Sequence, residues 1–216
     1  ESKQGRTMCE IFGNYGWKTG VTDMKYLADH FLVRGVNNFV PHAFSPKAYP
    51  DPDCPPHFYA DGNNPQFPAF SELMRYTNRA SHLLSGGEQV TDAAILYHAE
   101  AEWAGRGSML VQEPAKRLYE RQISYDITPA DAVMEAVVED GSLRMGKQRY
   151  RCLIVPRAGY LPEALLSKME WIHEQGGCVL FVDALPDNAQ GVCAPVVTLS
   201  RLAQQVENRG FAHLSI

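Results

Sequence analysis

The chain has 216 residues, 45% hydrophobic and 21% charged, with a formal net charge of −5, enough for one large domain or two modest ones with a real core. The acidic balance and the lack of lysine or arginine runs leave no cationic field for a phosphate backbone, so nucleic acid is not an expected partner. No apolar stretch approaches the ~20 residues needed to span a bilayer, so no membrane partner is expected either.

The sequence opens on ESKQGRTMCE, without an initiator Met and reaching strand-like residues almost at once. That is the expectation for a piece excised from a longer polypeptide. Residues 8–17, MCEIFGNYGW, form an apolar run that carries a carboxylate at Glu10 and then breaks into glycine, asparagine and aromatics. Strand ends of this kind hold the chemistry of α/β proteins. The segment TDMKYLADHFLVRG then places Met24, Leu27, Phe31 and Leu32 on one helical face, with Thr22 as the expected N-cap and Gly35 just past the end. VNNFVPHAF gives a second strand, whose ladder must give out at Pro41 and His42.

Residues 45–65, SPKAYPDPDCPPHFYADGNNP, hold six prolines and read as a long irregular loop hanging from that strand end. Loops of that length are functional or disordered. Its Asp51 and Asp53 suit either a calcium ion or solvated turns. A second helix follows from about Phe67 to Leu84, with Phe70, Leu73, Met74 and Thr77 facing inward and Gly86-Gly87 as its stop.

A new alternation starts at Val90. TDAAILYHAEAEW reads as a strand, SMLVQEPAKRLYERQ as a helix, SYDITP as a short strand, and AVVEDGSLRMG as two short strands around Asp140-Gly141. RCLIVPRA is a further strand. LPEALLSKMEWIHEQGG is a helix with Pro162 in its first turn and Leu165, Leu166, Met169 and Ile172 on one face. CVLFVDALP reads as a strand buried on both sides, LSRLAQQVENRG as a helix and FAHLSI as a final strand. Repeated strand–helix units with continuous apolar strands predict a parallel sheet covered on both faces, a flavodoxin-like domain from about residue 89 onward. The first third has only two β/α units, too few to close a barrel or bury two faces alone.

The five cysteines, Cys9, Cys54, Cys152, Cys178 and Cys193, are odd in number and form no C-x-x-C pair, which argues against zinc. Three of them sit in or beside strand-like runs, where a thiol behaves as a small hydrophobe. Reducing, cytoplasmic conditions fit this usage best.

Taken together, MCEIFGNYGW, MKYLADHFLVRGVNNFVPHAFSP, NPQFPAFSELMRYTNRASHLLSGG and VTDAAILYHAEAEWAG resemble bacterial glycoside hydrolases with a (β/α)8 catalytic barrel followed by a flavodoxin- or glutamine-amidotransferase-like domain. Family 42 β-galactosidases and family 106 α-L-rhamnosidase-like proteins share that layout. The resemblance implies that residues 1–88 are the last two β/α units of the barrel, its strands seven and eight, and residues 89–216 an accessory domain. It implies that Glu10, at the carboxyl end of strand seven, is a catalytic carboxylate, and that the acid/base on strand four lies outside this chain.

Glycoside hydrolysis needs two carboxyl groups, about 5–5.5 Å apart for retention and about 6.5–9.5 Å for inversion. One alone leaves the oxocarbenium-like transition state half served, so the isolated chain is expected to have little or no activity. Asn14, Tyr15, Trp17 and His42 are candidate substrate-binding residues. An aromatic face packs on the C–H face of a pyranose, and a neutral imidazole orients a hydroxyl. Each also has a purely structural reading: a turn for Asn14, loop packing for the aromatics, a backbone-bonded imidazole for His42, and a strand-end carboxylate held by amides or a basic neighbour for Glu10. His30, in mid-helix, is expected to be structural.

The strand-end segment YHAEAEWAGRGS carries Glu100 and Glu102, which repel a phosphate, so no flavin or other cofactor is expected. Packing between domains is the expected role of that segment, Trp103 included. An amidotransferase elbow would need a cysteine after RCLIVP, and the sequence there is Arg157-Ala158-Gly159-Tyr160. The expected substrate is an oligo- or polysaccharide or a glycoside, with homo-oligomerisation through the second domain. The alternative is a non-catalytic flavodoxin-like interaction module.

Overall fold

The computed structural model describes residues 5–87 and 89–209. The chain divides into two compact units, one formed by the described residues up to 87 and the other by those from Gln89 onward.

In the first unit the apolar stretch Met8–Ile11 forms strand β1, which pairs in parallel with β2, Asn38–Pro41. Helix α1, Val21–Leu32, connects them, and α2, Phe67–Leu83, follows the proline-rich loop. Alternation along β1 turns Ile11 toward the helices, where it is buried with Phe12, Met24, Phe58, Phe70 and Leu73. Phe58 stacks on Phe70 with ring centroids 3.9 Å apart, and Phe12 meets Phe58 edge-on at 6.2 Å. Burying each such ring contributes roughly 1.5–3 kcal/mol. The opposite parity of the strands is uncovered within this unit, leaving Met8 62% and Val40 44% exposed.

Thr22 is not the cap of α1. Gly20 holds that position with extended backbone, because the Asp23 carboxylate accepts the Gly20 N–H at 3.2 Å and the Gln66 side-chain oxygen accepts the Val21 N–H at 2.9 Å. The helix is therefore capped two residues before Thr22. Helices α1 and α2 are tied by Asp29, which accepts the Tyr76 hydroxyl at 2.6 Å and the Lys25 ammonium at 2.5 Å.

The second unit is built on β3, Ala93–Tyr97; β4, Tyr125–Pro129; β8, Cys152–Val155; β9, Val179–Val182; and β10, Val196–Val197. These strands form one all-parallel sheet in the order β10-β9-β8-β3-β4. Alternation sends Leu96, Leu153 and Phe181 to one face and Ile95, Ile154 and Leu180 to the other, each within its own apolar cluster. The first cluster includes Val133 of α5, Ala130–Met134, and Leu165 of α6, Glu163–Glu174; the second includes Leu118 of α4, Gln112–Tyr119, and Leu202 of α7, Leu202–Glu207. The sheet is thus covered on both sides, as its continuous apolar strands require. A separate antiparallel sheet, β5 (Val137–Glu139), β6 (Ser142–Met145) and β7 (Gln148–Tyr150), turns at Asp140-Gly141, both in the left-handed region.

Several expected boundaries shift. The segment read as one strand from Thr91 to Trp103 ends at Tyr97, and Ala99–Trp103 forms a short helix, α3, because the His98 carbonyl accepts the Ala101 N–H at 3.0 Å. The helix read from Ser108 starts only at Gln112, since Ser108 bridges Ala158 and the Met109 N–H bonds Arg157 O at 2.7 Å. Pro162 caps α6 rather than lying in its first turn. The short elements α5, β7 and β10 were not foreseen. The expected final strand FAHLSI lies outside the described residues. Among those residues no helix is long and apolar enough to cross a membrane.

Candidate active site

The carboxyl ends of the two parallel strands of the first unit, the connection between β1 and α1, and the proline-rich loop build one rim. After Ile11 the backbone enters the left-handed region at Phe12, Asn14 and Gly16, so the chain reverses at once instead of extending the strand. The loop is stitched to that turn by the Gly16 N–H on Pro55 O at 2.9 Å. It is stitched to the end of β2 by the Phe58 N–H on Ala43 O at 3.1 Å.

Glu10 stands directly opposite Val40 on the strand face turned away from α1 and α2, and it is exposed. Among the described residues its carboxylate has no hydrogen bond and no ion pair, so it is not a strand-end charge neutralised by an arginine. Its field reaches Cys54 in the proline-rich loop, whose thiol is held above the ordinary value by Asp53, by burial, and then by Glu10. His42 donates its backbone N–H to Ile11 O at 2.9 Å, and its Nδ1 is buried without a hydrogen-bond partner among the described residues. The imidazole lies against Gly13: a Cβ added there would stand 3.3 Å from His42 Cβ, Cγ and Nδ1. The backbone-bonded imidazole expected of a structural histidine is thus absent at Nδ1.

Trp17 is 41% exposed and Tyr15 49% exposed, and Asn14 is exposed at the left-handed turn position. Trp17 meets Tyr49 edge-on at 5.8 Å and His57 edge-on at 5.4 Å. Sequence reading missed His57, which is buried with its Nε2 2.6 Å from Asp53 O. It also missed Tyr49 as a partner of Trp17. The only available signal was the density of aromatics and histidine within a proline-rich loop; which of them meets Trp17 is a tertiary fact.

Asp51, read as a calcium ligand or a turn residue, is the buried pin of the loop. Its carboxylate accepts the Ser45 hydroxyl at 2.5 Å and the Asp53 N–H at 3.1 Å, and Lys47 approaches at 3.8 Å. The Ser45 hydroxyl, then the Asp53 amide, hold Asp51 below the usual carboxylate range. Among the described residues no group of three or more His, Cys, Asp or Glu side chains is arranged to hold a metal ion.

Beside β2 and α2 runs a groove of about 910 Å3 lined by Phe39, Phe44, Phe70 and Met74. Glu10 is not in its wall, and the lining carries no carboxylate. The rim, not the groove, carries the candidate chemistry. In the second unit the carboxyl end of β3 carries His98, fully buried with neither ring nitrogen bonded among the described residues, and the turn after β8 carries no thiol.

A family model described as alpha-L-rhamnosidase, glycoside hydrolase family 106, matches residues 7–211. No curated relative matches the chain. Among solved structures, the chain is similar to a catalytic mutant of Gan42B, a GH42 β-galactosidase from G. stearothermophilus, with a TM-score of 0.57 and 15% identity over 81% of this chain and 26% of that one. It is also similar to the apo exo-carrageenase GH42 from Bacteroides ovatus, with a TM-score of 0.54 and 8% identity over 96% of this chain and 28% of that one. At such identities the likeness concerns the fold alone. The chain spans about a quarter of the length of the solved structures that it matches.

Proposed function

Because the chain belongs to the glycoside hydrolase family 106, the α-L-rhamnosidase family, we propose that it is part of an enzyme that cleaves O-glycosidic bonds, with Glu10 as one of its two catalytic carboxylates. In this reading residues 1–88 are the last two β/α units of a (β/α)8 barrel and residues 89–216 a flavodoxin-like accessory domain. The observation that carries it is the placement of Glu10: unpaired, exposed, at the carboxyl end of a parallel strand and on the face that the helices leave open. In a closed barrel that strand end borders the catalytic mouth.

Further features support the same reading. Met8 and Val40 on the uncovered face are apolar side chains of the kind that further β/α units cover. The order β10-β9-β8-β3-β4 is, in sequence order of the five parallel strands, 5-4-3-1-2, the flavodoxin arrangement read from its other edge. Trp17, Tyr15, Asn14 and His42 line the rim as substrate-binding groups. Trp17 and Tyr15 offer apolar faces to the C–H surface of a sugar, and the free Nδ1 of His42 offers a hydrogen bond. A reducing, cytoplasmic setting suits the five free cysteines.

Chemically, Glu10 serves the anomeric carbon, as nucleophile or as base toward water. The group that protonates the leaving oxygen belongs to a strand beyond this chain. Turnover of an aryl α-L-rhamnoside tests the proposal. The 216-residue chain by itself releases aryl alcohol at the uncatalysed rate, whereas the longer polypeptide that the proposal requires hydrolyses the glycoside. Turnover by the short chain at ordinary enzymatic rates contradicts it.

A second reading, assembly through the second unit, is favoured by β4, an edge strand on which Ile127 is 50% exposed. It is compatible with the first.

A further inference from the structure

The buried cysteines of the second unit form a pair. Strands β8 and β9 are parallel with Leu153 opposite Val179, so one step back along this register sets Cys152 beside Cys178. The Leu153 N–H bonds Cys178 O at 2.8 Å, which fixes the two backbones at that level. Both residues are buried, and both belong to the same apolar cluster on the same face of the sheet. Neighbouring strands lie about 4.8 Å apart, inside the range of about 4.4–6.8 Å that a disulfide spans between Cα atoms.

We propose that Cys152 and Cys178 are a redox-convertible dithiol that hydrogen peroxide closes to a disulfide within the folded protein, stapling β8 to β9. The neighbouring Cys152, then the Arg209 guanidinium, holds Cys178 below the ordinary thiol value, while the neighbouring Cys178, then burial, holds Cys152 above it. Cys178 is therefore the member that attacks. A hollow of about 830 Å3 is bounded by Arg209 and by Arg151, the residue preceding Cys152.

The chemistry balances in two steps. The Cys178 thiolate attacks one peroxide oxygen, an S–O bond forms, the O–O bond breaks, and the departing hydroxide takes a proton to leave as water. The Cys152 sulfur then attacks the sulfenic sulfur of Cys178, the S–S bond forms, the S–O bond breaks, and the Cys152 proton leaves in a second water. Two thiols are oxidised and one peroxide is reduced.

The test uses the 216-residue protein carrying Cys193→Ser, a change at an exposed position. Trypsin cuts after Arg151, Arg157, Lys168 and Arg201, which places Cys152 in peptide 152–157 and Cys178 in peptide 169–201. The substitution leaves Cys178 as the sole thiol of the longer peptide. The protein is treated with hydrogen peroxide under native conditions, quenched, alkylated in denaturant and digested. The expected product is the two peptides joined, lighter than their sum by two hydrogens and separated again by dithiothreitol. In Cys152→Ala the second step is blocked, and Cys178 instead carries a dimedone adduct. The proposal is overturned if both peptides are recovered singly alkylated while Cys9 or Cys54 has been oxidised, if Cys178 proceeds to sulfinic acid without a link, or if the link forms only in protein treated in denaturant.

Discussion

At the scale of single residues, the rim depends on close approaches that a small substitution disturbs. A methyl at Gly13 meets the His42 ring at 3.3 Å, tighter than ordinary contact, so Gly13→Ala pushes the imidazole away from the β1 turn. The expected cost is about 1 kcal/mol of stability in chemical denaturation. Trp17→Ala removes the exposed aromatic wall that Tyr49 and His57 hold in place; in the active enzyme it is expected to raise KM about tenfold or more while kcat falls less. Asp51 gives the first unit an acid-sensitive pin. Its folded value is depressed, so its contribution is complete above the unfolded carboxylate range near about pH 4 and is lost as pH falls through the lower folded value. Asp51→Asn is expected to flatten the acid limb of a thermal-melting profile against pH. Of the rim residues, the sequence made Glu10, Trp17 and His42 visible because they lie in or just beyond strand-like apolar runs. Tyr49 and His57 were hidden because an irregular loop has no period from which a facing direction can be read.

At the scale of elements, long amphipathic segments were legible and short ones were not. Helices α2 and α6 announce themselves through Phe70, Leu73 and Thr77, and through Leu165, Leu166, Met169 and Ile172, which recur at helical spacing and are buried. The elements α5, β7 and β10 have five, three and two residues, too few to show a period, and are fixed by the sheet against which they fold. Two contacts between segments define the second unit. A Cβ on Gly159 would lie 2.0 Å from Arg106 O, so Gly159→Ala must separate the turn after β8 from the strap that crosses it, at an expected cost of about 2–3 kcal/mol. The Tyr150 hydroxyl donates to Asp126 at 2.9 Å beside the Thr91 hydroxyl at 3.1 Å. Burial, then the Asp126 charge, pushes the Tyr150 phenol well above its ordinary value. A raised value stabilises the fold below about pH 10 and is lost as pH rises toward the folded value. Tyr150→Phe is therefore expected to cost about 1–3 kcal/mol at neutral pH and to flatten the alkaline limb of the melting profile.

At the scale of the whole molecule, the parallel β/α pattern could be read from apolar strands alone, whereas the glycosidase reading came from a resemblance rather than from periodicity. No count of strands tells part of a cylinder from a small sheet; what the structure adds is that Met8 and Val40 are exposed on the strand face turned away from the helices. If the β4 edge also mediates assembly, Ile127→Lys is expected to shift the second unit's oligomers to monomers in sedimentation, with the melting temperature little changed. The claim on which the functional account turns is that the Glu10 carboxylate acts on the glycosidic bond. The measurement that reaches it most directly is kcat/KM for an aryl α-L-rhamnoside in the longer, active polypeptide carrying Glu10→Gln, an isosteric change that removes the charge. The predicted result is a loss of roughly a thousandfold or more with KM little altered; a kcat/KM within about tenfold of the unsubstituted enzyme would contradict the account.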